Sequence, residues 1–261
     1  MIENLRFPQH NYLLSLQAPK VAQKVLPGQF VMAAEVEKLT LPYPLLKRAM
    51  AVYSTAEEKG ERSIITLLLK VIGDGTRRLA SLQPGDTVSL IGPLGNGFDT
   101  GQGHGKINLL VAGGIGIASL YLLADKLKRD GQQLHLIYGG QGAKDLVGLD
   151  DFRRLEIPIF VTTDDGSLGF KGLVTEGLES YLKDLPQDDL VIYTCGPNPM
   201  MKAVSSLAAS YNIPCQISVE AKMACGFGVC LGCSVKTVGS YRLACRHGPV
   251  FDAAEFVWEE T

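Results

Sequence analysis

Four cysteines near the end of the chain constrain it more than any other feature. Cys225-Gly226-Phe227-Gly228-Val229-Cys230-Leu231-Gly232-Cys233 is answered twelve residues later by Cys245. The spacing C-x4-C-x2-C with a distant fourth Cys is the plant-type arrangement for a [2Fe-2S] cluster, whereas zinc sites commonly carry two C-x2-C pairs. Cys225, Cys230, Cys233 and Cys245 are therefore expected to hold such a cluster. Glycines at 226, 228 and 232 suit a loop that curls close to an inorganic centre and turns N–H groups toward sulfur. The alternatives are a structural zinc site, for which His247 is a possible ligand, or buried free thiols. We read His247 as a surface residue or a neighbour of the centre.

Six cysteines, four of them clustered, fit a reducing compartment where thiols serve metals rather than disulfides. The start, Met1-Ile2-Glu3-Asn4-Leu5-Arg6, lacks the basic-then-apolar pattern of a secretory signal, so a cytoplasmic location is expected. With 25 basic against 27 acidic residues, nothing suggests a nucleic-acid surface. Ile107 to Ala124 carries no charge over 18 residues, long enough to consider a membrane span. Gly113, Gly114 and Gly116 interrupt it, and a short buried strand, a glycine turn and a helix explain it better.

The first third, from about Leu14 to Ile91, alternates short apolar runs with Pro, Gly and charged clusters, the pattern of an antiparallel β-barrel or sandwich. Two places in it suit an anion. Arg48 opens the run Ala49-Met50-Ala51-Val52-Tyr53, and Gly73-Asp74-Gly75-Thr76 marks a helix start with accessible backbone N–H groups. An arginine is usually a solvated charge and Gly-Asp-Gly usually a turn, so each is weak alone.

Beyond about Thr100 the chain alternates strands and helices, the signature of a parallel α/β sheet. Strands are expected at 107–112, 134–138, 158–161 and 190–194, and helices near 118–130, 148–154, 172–184 and 198–211. Gly113-Gly114-Ile115-Gly116-Ile117-Ala118-Ser119, between a strand and a helix, is close to the dinucleotide fingerprint with its third glycine replaced by Ser119. The second strand ends in Tyr138-Gly139-Gly140 without the usual ribose-binding acid, and no Arg follows to meet a 2′-phosphate; NAD is expected rather than NADP. Asp164-Asp165-Gly166-Ser167 is read as a loop closed by Asx turns. Cys195-Gly196-Pro197 ends a later strand at the edge where ligands collect. Without a partner His for Cys195, it is read as a small pocket-lining residue, and His135, inside a strand, as structural.

Taken together, these motifs resemble the ferredoxin-NADP reductase superfamily and, within it, the electron-transfer subunits of type-B dihydroorotate dehydrogenases. The resemblance runs through Pro27-Gly28-Gln29-Phe30, Gly75-Thr76, Gly92 to Phe98, Gly113 to Gly116, Asp164 to Ser167, Cys195-Gly196-Pro197, Glu220 to Cys233 and Cys245 to Phe251. It implies a Greek-key FAD barrel (1–100), a Rossmann-like NAD domain (101–213) and a small [2Fe-2S] domain (214–261). FAD would lie on Arg48, Ala49, Met50 and Ala51, on Leu68, Leu69 and Lys70, and on Gly75 and Thr76. NAD would lie on Gly113, Gly114, Gly116, Cys195, Gly196 and Pro197. The family's flavin segment, Arg-Pro-x-Ser, is matched only at Arg48, leaving contacts of 49–51 to backbone; Leu69 stands where an aromatic is common and Ser119 where the family often has Pro.

The implied activity, in pyrimidine biosynthesis, passes electrons from the FMN of a separate dihydroorotate dehydrogenase catalytic subunit through the cluster and FAD to NAD+. The implied assembly is a heterotetramer with two of each subunit. No dihydroorotate site is recognisable in this chain. The competing readings are a diaphorase subunit of a hydrogenase or of a ferredoxin:NAD reductase, and a zinc-binding interaction module without catalysis.

Overall fold

The computed structural model describes residues 1–36, 46–183, 185–186 and 189–258. The first third forms two antiparallel sheets. One has the order β1-β2-β6-β5, with β1 Glu3–Phe7, β2 Asn11–Gln17, β5 Ser54–Glu58 and β6 Glu61–Lys70. The other is β4-β3-β7, with β3 Phe30–Glu35, β4 Arg48–Ala51 and β7 Val88–Leu94. Short helices α1 (Pro19–Ala22) and α2 (Asp74–Ala80) complete it. Alternation along β6 turns Ile65, Leu67 and Leu69 inward, where they meet Leu14 and Leu16 of β2 and Val31 and Ala33 of β3 in one buried cluster.

The remainder is built on a seven-stranded sheet of order β11-β10-β9-β8-β12-β13-β16. Its strands are β8 Ile107–Gly113, β9 Gln133–Gly140, β10 Ile159–Thr163, β11 Phe170–Lys171, β12 Leu190–Cys195, β13 Cys215–Ser218 and β16 Val250–Asp252; all pairings are parallel except β13 with β16. Helices α3 (Tyr121–Arg129) and α4 (Leu149–Arg154) contribute to the core on one side, and α5 (Val174–Leu182) and α6 (Asn198–Ser210) to the core on the other. Near-continuous apolar strands such as Leu190–Cys195 follow from burial on both faces. Between residues 218 and 250 lie the cysteine loop, the hairpin β14 (Ser234–Thr237) and β15 (Ser240–Leu243), and α7 (Ala244–His247).

Three expectations are adjusted. Cys215–Ser218, expected in the C-terminal unit, is a strand of the seven-stranded sheet, paired with β12. Paired with β13 in turn, β16 ties the end of the chain to that sheet. The helix expected from about residue 118 begins as a 3-10 segment at Gly114–Ser119, and α3 proper starts at Tyr121. The helix expected over 172–184 spans 174–182, and position 184 lies outside the described residues. Among the described residues, no helix is long and apolar enough to cross a membrane.

Tyr53 joins the two halves. It is 2% exposed, stacks on Tyr121 of α3 and donates its hydroxyl to Asp151 of α4 at 2.6 Å. Burial, then this carboxylate, holds its pKa far above the usual phenol value. Tyr53→Phe is expected to cost about 1–3 kcal/mol, the range for losing a buried hydrogen bond to a charged acceptor, read as a lower urea midpoint with unchanged m.

Candidate functional site

Strand order reverses between β8 and β12, and ligands of open α/β sheets bind beyond the carboxyl ends of strands at such a point. Gly113-Gly114 follows β8, and Gly196-Pro197 follows β12. A cavity of about 560 Å³ opens there, lined by Gly113, Gly114, Gly116, Gly139, Asp145, Asp164, Gly196 and Pro197 among others. Glycine at 116 is required by packing, since a Cβ would lie 2.7 Å from the Gly196 Cα and closer still to the Cys195 carbonyl. Cys195 itself does not line this cavity: it is 1% exposed, and burial pushes its thiol up to about 12. Its backbone, through contact with Gly116, shapes the site instead. Asp165 accepts from Ser167 N and Oγ at 2.8 and 2.6 Å, an Asx turn as expected. His135 contacts the Tyr181 hydroxyl at 3.0 Å, away from both cavities.

The second cavity, about 300 Å³, lies between barrel and sheet. Its walls include Ala49, Met50, Ala51, Leu68, Leu69, Lys70 and Thr76, which sequence reading had grouped, together with Ile115, Ser119, Ser218, Glu220, Ala221 and Met223, which it had not. These latter residues come from a different domain, so no local signal marks them. Arg48 and Gly75 do not line this cavity; they adjoin its lining residues Ala49 and Thr76 and meet each other, where a Cβ on Gly75 would collide with the guanidinium. From the cavity wall the Thr76 hydroxyl accepts from Ile72 N and Gly73 N and donates to Gly73 O, closing the start of α2. A largely apolar slot beside strand backbone fits a flat ring system, and Arg48, next in sequence to the lining residue Ala49, is a donor for phosphates.

The cysteine loop packs against the barrel. A Cβ on Gly226, whose φ is +82°, would lie 2.9 Å from Met32 Sδ of β3 and 3.1 Å from Leu94 of β7. Cys233 and Cys245 are buried, Cys225 is half-buried and Cys230 exposed. Backbone N–H groups of Cys230, Phe227 and Val229 face the Cys225 sulfur and lower its pKa to about 6 against opposing desolvation. Burial, then the Cys233 thiol, raises Cys245 to about 12. The four thiols form one interacting group, Cys225 with Cys230, and Cys245 with Cys233 and also with Cys225. Four sulfurs at this spacing, with backbone donors beside them, fit a two-iron cluster. His247 accepts from Leu243 N through Nδ1 at 3.0 Å, outside this group.

Comparison with known proteins follows this geometry. Residues 220–257 match the iron-sulfur cluster binding domain of dihydroorotate dehydrogenase B, and residues 110–206 match the oxidoreductase NAD-binding domain. The dihydroorotate dehydrogenase B (NAD(+)) electron transfer subunit of Desulforamulus reducens is 35% identical over 96% of this chain and 94% of its own length. The chain belongs to this family. The electron transfer subunit of Caldanaerobacter subterraneus subsp. tengcongensis is 40% identical over 90% of this chain and 89% of its own length. Among solved structures, the NADH-dependent reduced ferredoxin-NADP oxidoreductase superposes with a TM-score of 0.85 at 30% identity, covering 98% of this chain and 88% of the matched one. As an electron transfer subunit, the chain is one part of an oxidoreductase.

Proposed function

We propose that this chain receives electrons from a dihydroorotate dehydrogenase catalytic subunit on a [2Fe-2S] cluster and delivers them through FAD to NAD+. One observation carries the order of the carriers. The flavin and dinucleotide cavities share Lys70, Ile115 and Glu220, while Ala221 and Met223, just ahead of Cys225, wall the flavin cavity alone. Nicotinamides exchange two electrons as hydride and clusters exchange one; bound flavin supplies the chemistry that couples them. The residues of this chain do the positioning. Arg48 would meet the flavin's pyrophosphate, and the backbone of Ala49–Ala51 would meet its ring. The glycines at 113, 114 and 116 would admit the dinucleotide, and the four cysteines would hold the cluster. The proposed units are a barrel to about residue 100, the α/β domain, and a cluster unit that begins near Glu220.

Cys230, 53% exposed Phe227, 72% exposed Val229 and 62% exposed Leu231 present an apolar rim around the loop. We place the catalytic subunit on that rim, in a cytoplasmic heterotetramer with two of each chain. Val229→Glu is expected to weaken association at least tenfold (about 1.4 kcal/mol) without altering the chain's own absorbance, checked by analytical ultracentrifugation of mixed subunits.

The dinucleotide cavity carries three carboxylates, Asp145, Asp164 and Glu220, and Lys70 stands 4.0 Å from Asp145. A 2′-phosphate entering near them meets like charge, so kcat/KM for NADH is expected to exceed that for NADPH by roughly tenfold or more, with Asp164→Lys narrowing the ratio. The test of the whole reading is an absorption spectrum of anaerobically purified protein, followed by dihydroorotate-dependent NAD+ reduction by the complex. A colourless chain sinks the electron-transfer reading, and a complex that reduces NAD+ from another donor but not from dihydroorotate sinks the substrate assignment.

A further inference from the structure

A third cavity, of about 850 Å³, shares only Gly196, Pro197, Pro199 and Glu220 with the dinucleotide cavity. The rest of its wall is assembled from stretches far apart in the chain: Lys202 of α6, Ser234 and Lys236 of β14, and Phe256 and Trp258 beyond β16. The last of these is pinned. Val257 N donates to Lys236 O at 3.1 Å and Val238 N to Glu255 O at 2.9 Å, so the segment runs beside the β14–β15 hairpin. Phe256 packs on the buried Phe251 with ring centroids 5.9 Å apart, and Trp258 on Phe256 at 4.7 Å. One wall of the cavity is therefore aromatic and held in place before any ligand arrives.

Charge in this wall is lopsided. Lys202 and Lys236 bring two cations, and among the described residues neither has an ion-pair partner; Glu255, bonded through its backbone to Val238, gives its carboxylate to Arg242 at 3.0 Å. Glu220 is the single carboxylate among the described lining residues, and it stands where the two cavities join. Fixed aromatic rings accept a planar ring, and ammonium groups without a partner accept an anion. The volume lies within the range of sites for small molecules. We infer that this cavity binds a small planar-ring anion, a ring carboxylate or a ring phosphate, and that its occupant weakens dinucleotide binding. The coupling follows from charge and position: both ligands are anionic and both touch the turn at Gly196-Pro197, so each disfavours the other, and linkage makes the effect reciprocal. Only this coupling rests on reading the neighbouring cavity as the dinucleotide site.

The test uses the holoprotein and the probes phenyl phosphate, benzoate, inorganic phosphate and benzamide. Trp258 is the only tryptophan of the chain, so its fluorescence reports on this wall alone. Phenyl phosphate or benzoate is expected to quench it saturably and at least ~10-fold more tightly than inorganic phosphate or benzamide, since each control lacks one half of the recognised chemistry. Whichever of the two binds more tightly identifies the anionic group. Lys236 is exposed, so Lys236→Gln opens no cavity; it should weaken the better probe ~10-fold and leave KM for NADH within about twofold in the absence of probe. With that probe saturating, KM for NADH in dye reduction should rise at least ~5-fold at constant kcat in the parent, and the rise should be lost in Lys236→Gln at the same probe concentration. Absence of saturable quenching by both ring anions, or quenching by benzamide at equal concentration, overturns the site. A Lys236→Gln variant whose KM for NADH rises without probe as much as its probe affinity falls makes the cavity an extension of the dinucleotide site and overturns the inference likewise. Saturable binding that leaves KM for NADH unchanged overturns the coupling. A holoprotein that does not oxidise NADH at all refutes the dinucleotide reading and the coupling with it, a result that the fluorescence titration separates from failure of the site.

Discussion

Cys230→Ser is expected to abolish the cluster's visible absorbance and to lower dihydroorotate-driven NAD+ reduction by the complex at least ~100-fold, while FAD content and NADH-to-dye activity stay within about twofold. The separation of effects comes from where Cys230 sits. It is exposed, so exchanging sulfur for oxygen opens no cavity, and the folded chain has no packing reason to lose stability. Chemically the change is severe, because a serine hydroxyl is not ionised at neutral pH and does not replace a thiolate ligand. The flavin and dinucleotide cavities share no lining residue with the 225–233 loop. Loss of both activities in a folded, flavin-loaded Cys230→Ser protein would contradict the order of carriers.

Gly116→Ala should act at the other end of the same path. Its Cβ would press on the Cys195 carbonyl and the Gly196 backbone, neither of which is the flexible end of a side chain. Overpacking of this kind costs about 1–3 kcal/mol, and relief requires β8 and β12 to part at the crevice where the dinucleotide would enter. We expect a Tm lowered by several degrees, NAD affinity weakened at least ~10-fold, and an unchanged cluster spectrum. Calorimetry and NADH titration check this. Unchanged NAD affinity in a destabilised protein would show that the Gly116 contact supports the fold alone.

Much of the architecture was legible because its signals are local. The β-rich run of apolar residues from Ser63 to Ile72 marks a buried strand, and the uncharged stretch 107–124, cut by three glycines, marks a buried strand running into a turn. Where reading failed, a distant partner had decided the outcome. Ser218 and its neighbours at 215–217 join β12 in the large sheet although sequence places them beside the cysteine loop. That the Thr76 hydroxyl also satisfies two backbone N–H groups at the start of α2 was not legible in sequence. Cys195 looked pocket-facing, but the close approach of Gly116 leaves only its backbone at the site.

The sequence by itself determined the cluster and dinucleotide motifs, because cysteine spacing and glycine turns are properties of a few consecutive residues and the metal and phosphate chemistry demands them directly; FAD entered through the family resemblance. Tertiary structure alone decided how the sites connect. Lys70 of β6, Ile115 after β8 and Glu220 after β13 are separated by 45 and 105 residues, and only the packing of barrel on sheet brings them to one junction. Desolvation there raises the Glu220 carboxyl above the usual carboxylate range, since desolvation depends on what packs around an atom and not on its neighbours in the chain.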